Sequence, residues 1–141
     1  MMSQENVEVV RRCLEFWANR DWSVAPELLD PSVEFDLSRR VFNPAVYRGI
    51  AEVEQLVSGA DAAWDNFRVT TDDLIDAGDH VLAALTIKGK GRESGIDVSM
   101  QVFQVWTLRG SKVVRMVSGY RDRSEALEAA GLSESDAQVS P

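Results

Sequence analysis

The chain has 141 residues and a mass of 15.7 kDa, a length that predicts one domain able to bury ~68–70% of the surface its unfolded form would expose. Lysine plus arginine number 15 against 23 aspartates and glutamates, a formal charge of −8, which argues against duplex DNA, structured RNA and anionic membranes as partners. One cysteine and one histidine exclude a disulfide framework and a Cys/His zinc or multi-histidine centre within one chain, so neither metal nor cofactor is expected.

No apolar run approaches the ~20 residues of a membrane helix, and no signal-peptide pattern opens the sequence, so cytoplasmic residence is the default expectation. From Ser3 to Arg20, Val7, Val10, Leu14 and Trp17 recur at helical spacing, with Cys13 and Phe16 widening the stripe. On the wet side the spacing predicts i,i+4 pairs between Glu8 and Arg12 and between Arg11 and Glu15. Asp21 is placed to cap a second helix through Trp22, Leu28 and Leu29, which Pro31 ends. Val33 to Leu37 alternates as a half-buried strand does, and an irregular stretch runs from Ser38 to Gly49, with Asn43-Pro44 as a turn signal.

A third helix is predicted from Ile50 to Trp64, since Val53, Leu56, Val57, Ala60 and Trp64 share a face; Gly59 weakens it by ~1 kcal/mol. The period then changes to two. Phe67 to Ile75, His80 to Lys90, Gly95 to Leu108 and Lys112 to Tyr120 read as consecutive antiparallel strands separated by short turns. Asp122 to Glu125 is a capping-box pattern opening a short helix that Gly131 can end, and residues 133–141 read as a disordered polar tail. The class is therefore α+β, three helices on one face of a curved sheet with a short C-terminal helix. In the Gly95–Leu108 strand, Met100, Val102, Trp106 and Leu108 share one side and Phe103 and Val105 the other, so both sides need cover. The first set is expected to meet a second copy of the chain in a homodimer, and the second set to face inward with the helices.

The order and spacing of Trp22 to Phe35, Tyr47-Arg48-Gly49, Trp64 to Phe67, Asp76 to Asp79, Val105 to Leu108 and Glu125 to Leu132 resemble the SnoaL-like, polyketide-cyclase branch of the NTF2-like superfamily. The resemblance covers about Val7 to Leu132. It implies a conical α+β barrel around a deep, mostly apolar cavity, commonly dimeric through the open face of the sheet. Members include isomerases, cyclases, hydrolases and domains without chemistry, so the fold does not name the activity.

Set against the ketosteroid-isomerase arrangement within that superfamily, Cys13 and Phe103 stand where the two oxyanion donors would be, and Phe35 where the base would be. Asp36, one residue along, is the candidate general base, provided that a bulge or the strand end turns it inward. The competing reading pairs it with Arg39, Arg40 or Arg48, or has it cap the following loop. Arg115, Arg121 and Asp122 do not compose the Asp-Arg-Asp set of the superfamily's epoxide hydrolases, because Asp122 is already a cap. Cys13 on an apolar stripe reads as inert core, and His80 as a hairpin-end side chain. Cys13, Phe16, Trp17, Phe35, Trp64, Phe103 and Val105 are the expected apolar lining of a ligand pocket, with Gln101, Tyr47 and Tyr120 as polar donors.

Three readings follow. The chain is an isomerase-, cyclase- or hydrolase-type enzyme with Asp36 as base; or a pocket protein that holds a small apolar ligand without chemistry; or an interaction domain that uses its sheet face.

Overall fold

The computed structural model describes residues 2–40 and 44–132, so the Asn43-Pro44 turn signal falls partly, and the polar tail at 133–141 wholly, outside the described residues. Helix α1 (Met2–Asn19) is the amphipathic segment expected, with Val10 and Cys13 fully buried and Phe16 nearly so. Its polar face pairs differently from the i,i+4 expectation. Arg11 reaches Glu8 at 2.9 Å, and Arg12 crosses to Glu27 at 3.6 Å. The helix ends with Arg20 in the left-handed region at φ 57°, while the Asp21 N–H returns to the Phe16 carbonyl at 3.0 Å, a position usually given to glycine. The Arg20 guanidinium donates to both Asp61 oxygens at 2.8 and 2.6 Å and to the Trp17 carbonyl, contacts that offset the backbone cost and tie the end of α1 to the third helix.

Asp21 caps a 3-10 turn at Trp22–Val24, and α2 (Ala25–Leu28) follows. Strand β1 (Leu29–Asp36) begins four residues earlier than Val33. Pro31, expected to separate helix from strand, lies inside it. The ladder is interrupted between Leu29 and Glu34, and a residue without an N–H is tolerated where no ladder bond is required. A short strand β2 (Val46–Arg48) lies in the stretch read as irregular and pairs antiparallel with β1. Helix α3 (Ile50–Ala63) stops one residue short of Trp64, which is already extended.

Strands β3 (Trp64–Ala77), β4 (His80–Gly91), β5 (Asp97–Arg109) and β6 (Lys112–Ser118) form the antiparallel meander, and α4 (Arg123–Ala129) closes the described chain. The sheet order is β2-β1-β6-β5-β4-β3, with β1 parallel to β6. The architecture is α+β with a curved, open six-stranded sheet, and it is mixed because of that one parallel pair. Asp122 accepts the Glu125 N–H at 2.9 Å, and the Glu125 carboxylate accepts the Arg121 N–H at 2.9 Å, a near relative of the expected capping box.

Two apolar layers lie on opposite sides of the sheet. On the inner face Val10, Cys13, Leu28, Phe35, Val53, Val81, Leu85, Trp106, Leu108 and Met116 form the main core beneath α1, α2 and α3. On the outer face Ile75, Leu82 and Val105 pack with Ala126 and Leu127 of α4 and with Ala130 at its C-terminal cap, with Phe103, Tyr120 and Leu132 at the margin. This reverses the expected assignment of β5. Trp106 is 0% and Leu108 3% exposed in the helix-covered core, so neither is available to a partner, whereas Phe103 and Val105 face outward under α4. The cover assigned to a second copy is supplied in part by the chain's own last helix.

Candidate functional site

The inner face is organised by aromatic rings. Trp17 on the α1 stripe meets Phe35 of β1 at 5.3 Å between centroids and Trp106 of β5 at 5.5 Å, while Phe35 and Trp106 stand 5.6 Å apart at 77°. Phe16 adds edge contacts to Trp17 at 6.2 Å and to Trp22 at 5.1 Å. All but the tilted Trp17–Trp106 pair are edge-to-face, and such pairs contribute ~0.5–1.5 kcal/mol each beyond area burial. Phe35 and Trp106 are fully buried and Trp17 half-buried, which makes Trp17 the outermost of the three. The Trp106 indole donates to Gln104 Oε1 at 3.0 Å. The Trp17 Nε1–H is buried and has no acceptor among the described residues. A buried donor left unpaired costs ~1–3 kcal/mol, so this orphaned group marks a place where a ligand oxygen or nitrogen has something to gain.

At the margin of this core, where Trp17 itself lies, the apolar surface is only partly covered. Tyr47, Ile50, Leu56, Val69 and Val102 are half-buried against the core. Tyr47 lies opposite Phe35 in register, and the row Val69, Ile87, Met100 extends the inner face beyond Leu85 and Val102, with Met100 50% exposed. The inner-facing positions from Val81 to Ile87 and from Met100 to Leu108 carry no ionisable side chain. Trp64 lies farther along, its ring packed over Gly89 and Gly91. The strands therefore offer a wall for shape recognition, and α1 offers one hydrogen-bond donor.

Of the residues expected to line the pocket, Cys13, Phe16, Trp17, Phe35 and Tyr47 come together on the inner side, although Cys13, Phe16 and Phe35 are core rather than open wall. Gln101, Phe103, Val105 and Tyr120 do not join them. Register places the first three on the outer face, where Gln101 is exposed, and Tyr120 packs with the α4 cluster. Burial pushes the Cys13 thiol up to about 12, against a small opposing effect of Arg12. It is a neutral core side chain at physiological pH.

Asp36 also departs from expectation. No bulge turns it inward: Phe35 pairs with Met116 on the core side, and Asp36 shares the outer face with Glu34 and Arg115. Its Oδ1 accepts the Ser38 hydroxyl and N–H at 2.5 and 2.9 Å, and its Oδ2 accepts from Arg115 at 3.2 Å. The Ser38 hydrogen bonds, with Arg115 in support, hold the carboxyl below the usual carboxylate range despite partial burial. A base poised near neutrality needs the opposite shift. Asp36 thus caps the loop that follows it through Ser38, as the competing reading allowed, but the arginine that pairs with it is Arg115 and not Arg39, Arg40 or Arg48. Arg48 and Arg115 instead bracket Glu34 at 3.4 and 3.2 Å, and His80 Nδ1 lies 3.0 Å from Thr107 Oγ1. Gly119, at φ +95°, lets the loop approach closely, because a Cβ there would fall 3.0 Å from the Arg39 Cβ. That approach seats Arg39 over the Tyr120 ring at 4.6 Å and against Glu125 at 2.8 Å. These outer-face charges satisfy one another, the signature of a structural network.

Comparison with known proteins agrees with this architecture. The SnoaL-like domain family matches residues 10–116. The chain belongs to that family. Among solved structures, a protein with a ketosteroid isomerase-like fold from Catenulispora acidiphila, crystallised in complex with trimethylamine, superposes with a TM-score of 0.70 at 19% identity, covering 95% of this chain and 98% of that one. An NTF2-like protein from Burkholderia pseudomallei gives 0.71 at 18% identity over 92% and 98% of the two chains. TerC, co-crystallised with polyporic acid, gives 0.69 at 19% identity over 81% and 89%. At these identities the likeness concerns the fold. No curated protein matches the sequence. No helix among the described residues is long and apolar enough to cross a membrane, and no group of three or more His, Cys, Asp or Glu among them could hold a metal ion.

Proposed function

We propose that this SnoaL-like domain binds a small, apolar, ring-sized molecule carrying one hydrogen-bond acceptor, at the open end of the inner face, and carries out no chemistry on it. The observation that carries the reading is the buried, unpaired Trp17 Nε1–H at the head of a half-buried apolar wall. The absence of ionisable side chains along that stretch of β4 and β5, and the outward, ion-paired setting of Asp36, favour binding over acid/base catalysis. Relatives of the same fold crystallised with trimethylamine or polyporic acid lend support from analogy. The test uses two probes of similar size, 1-tetralone and naphthalene. The ketone is expected to raise the melting temperature by mass action and to move the Trp17 indole N–H resonance downfield, and the hydrocarbon to leave that resonance in place. Trp17→Phe should erase the difference. If the ketone changes neither the melting temperature nor the indole resonance, the reading fails.

A second reading rests on a separate observation. Strand β6 ends at Ser118 opposite Gln104, so β5 from Asp97 to Phe103 has no strand on that side among the described residues, and Ile96 and Met100 are 62% and 50% exposed there. An open edge beside exposed apolar side chains is a template for strand pairing. Homodimerisation is proposed along this half-edge in place of a Trp106 and Leu108 interface. Sedimentation at micromolar concentration should give a dimer that Met100→Lys weakens; a monomer in the unsubstituted protein removes this reading.

A further inference from the structure

The outer face has a second, chemically different region beyond the reach of α4. Arg68, Lys88 and Ser99 form one cross-strand row over β3, β4 and β5, and Asp65, Lys90 and Asp97 form the next. With Arg92 these side chains line an open groove of about 900 Å³. Arg92 is engaged, 3.3 Å from Asp65 and donating to the Asp61 carbonyl at 2.9 Å. Lys90 stands between two aspartates in register, which offset its charge. Arg68 and Lys88 have no such relief: among the described residues neither makes an ion pair, and Arg68 donates only to the Asn66 carbonyl at 3.2 Å.

Like charges directly opposite one another on a sheet destabilise it. Most arginines of this acidic chain sit against a carboxylate, among them Arg20, Arg39, Arg48, Arg115 and Arg123. With 23 acidic residues on the chain, partners for Arg68 and Lys88 were available in number, yet their neighbours in the row are each other and a serine. A guanidinium fork, an ammonium and a hydroxyl side by side on three adjacent strands, all exposed to the groove, offer donors to the oxygens of one tetrahedral or planar anion. The geometry points to an oxyanion site in this groove, one that holds a phosphate or carboxylate group of a small organic molecule between Arg68 and Lys88, with Ser99 as the neutral donor. The site lies on the opposite face of the sheet from the apolar wall around Trp17 and is independent of it.

The experiment measures thermal shift and calorimetric affinity at about 0.01 M ionic strength, where the screening length is ~30 Å, with inorganic pyrophosphate in one arm and citrate in the other. At least one probe is expected to bind and raise the melting temperature, and the arm that responds more strongly identifies phosphate or carboxylate as the preferred group. Lys88→Gln and Arg68→Gln should each weaken binding about tenfold, and Arg109→Gln, at the exposed far end of β5, should not. Lys88→Gln should also raise the melting temperature of the unliganded protein, because it removes the opposed charges; a purely structural lysine would give the reverse. The proposal is overturned if neither anion binds, or if both groove variants keep the affinity of the unsubstituted protein.

Discussion

The two faces of β5 are built from alternate residues of one segment, yet they are held by very different means. On the inner side Trp106 and Leu108 lie in the helix-covered core, where Trp106 forms a three-ring cluster with Trp17 and Phe35. On the outer side Phe103 and Val105 are covered by the seven-residue α4 through Ala126 and Leu127, together with Ala130 just beyond its end. Apolar character on both sides of a strand shows that two covers exist without showing which is larger. The inner cover is integral to the fold, and the outer one is a short helix held by its cap and a few contacts.

Three substitutions sharpen the contrast. The largest effect is expected from Trp106→Ala, which empties the centre of the inner cluster and leaves Gln104 Oε1 without its donor; a loss of about 3–5 kcal/mol in denaturant unfolding is predicted. Leu127→Ala on the outer side should cost about 2 kcal/mol, the low end for a buried leucine, because α4 can undock alone. Hydrogen exchange should then speed up in α4 while the central amides of β5 keep their protection; equal loss of protection at both sites would show that the two covers act as one.

The smallest effect concerns the outer-face charges. Asp36 has a lowered folded-state pKa, so its contribution to stability is present above its unfolded value of about 3.9 and disappears as the pH falls through the lower folded value. Asp36→Asn should therefore cost about 1 kcal/mol at pH 7, and its stability curve should begin to approach that of the unsubstituted protein as the pH falls below about 4, meeting it only below the folded-state value. A deficit that persists undiminished at pH 2 would show that packing, not charge, is what the aspartate supplies.

Much of this arrangement is legible in the sequence, for identifiable reasons. The stripe through Val10, Cys13 and Trp17 declares α1 because burial follows the helical period. Strands β3 to β6 declare themselves by alternation between glycine-bearing turns. What stays hidden depends on partners distant in sequence. The start of β1 is masked by Pro31, acceptable only because the ladder is interrupted there, and β2 is three residues long, too short for a period to show. The candidate site divides in the same way. Trp17, Phe35 and Tyr47 are readable from stripe and strand, but the missing acceptor for the Trp17 indole is a fact of packing. Gln101, Phe103 and Val105 go to the wrong side because both faces of β5 read as apolar, and Tyr120 goes with them because α4, whose cluster it joins, carries too few residues to advertise itself as a lid. The oxyanion groove is a matter of register, since only the pairing of Arg68 with Lys88 turns two surface cations into neighbours.

The parallel pairing of β1 with β6 sets Leu29 beside Val113 and Phe35 beside Met116. Those neighbours emerge from a ribosome more than eighty residues apart, so a nascent chain that has released its first three helices still holds Phe35 on a strand with β2 alone for company. The core around the aromatic cluster can close only after β6 has left the exit tunnel. Contacts of such long sequence separation slow folding, and during that interval the rings of Phe35 and Trp17 are the surface that a chaperone would meet.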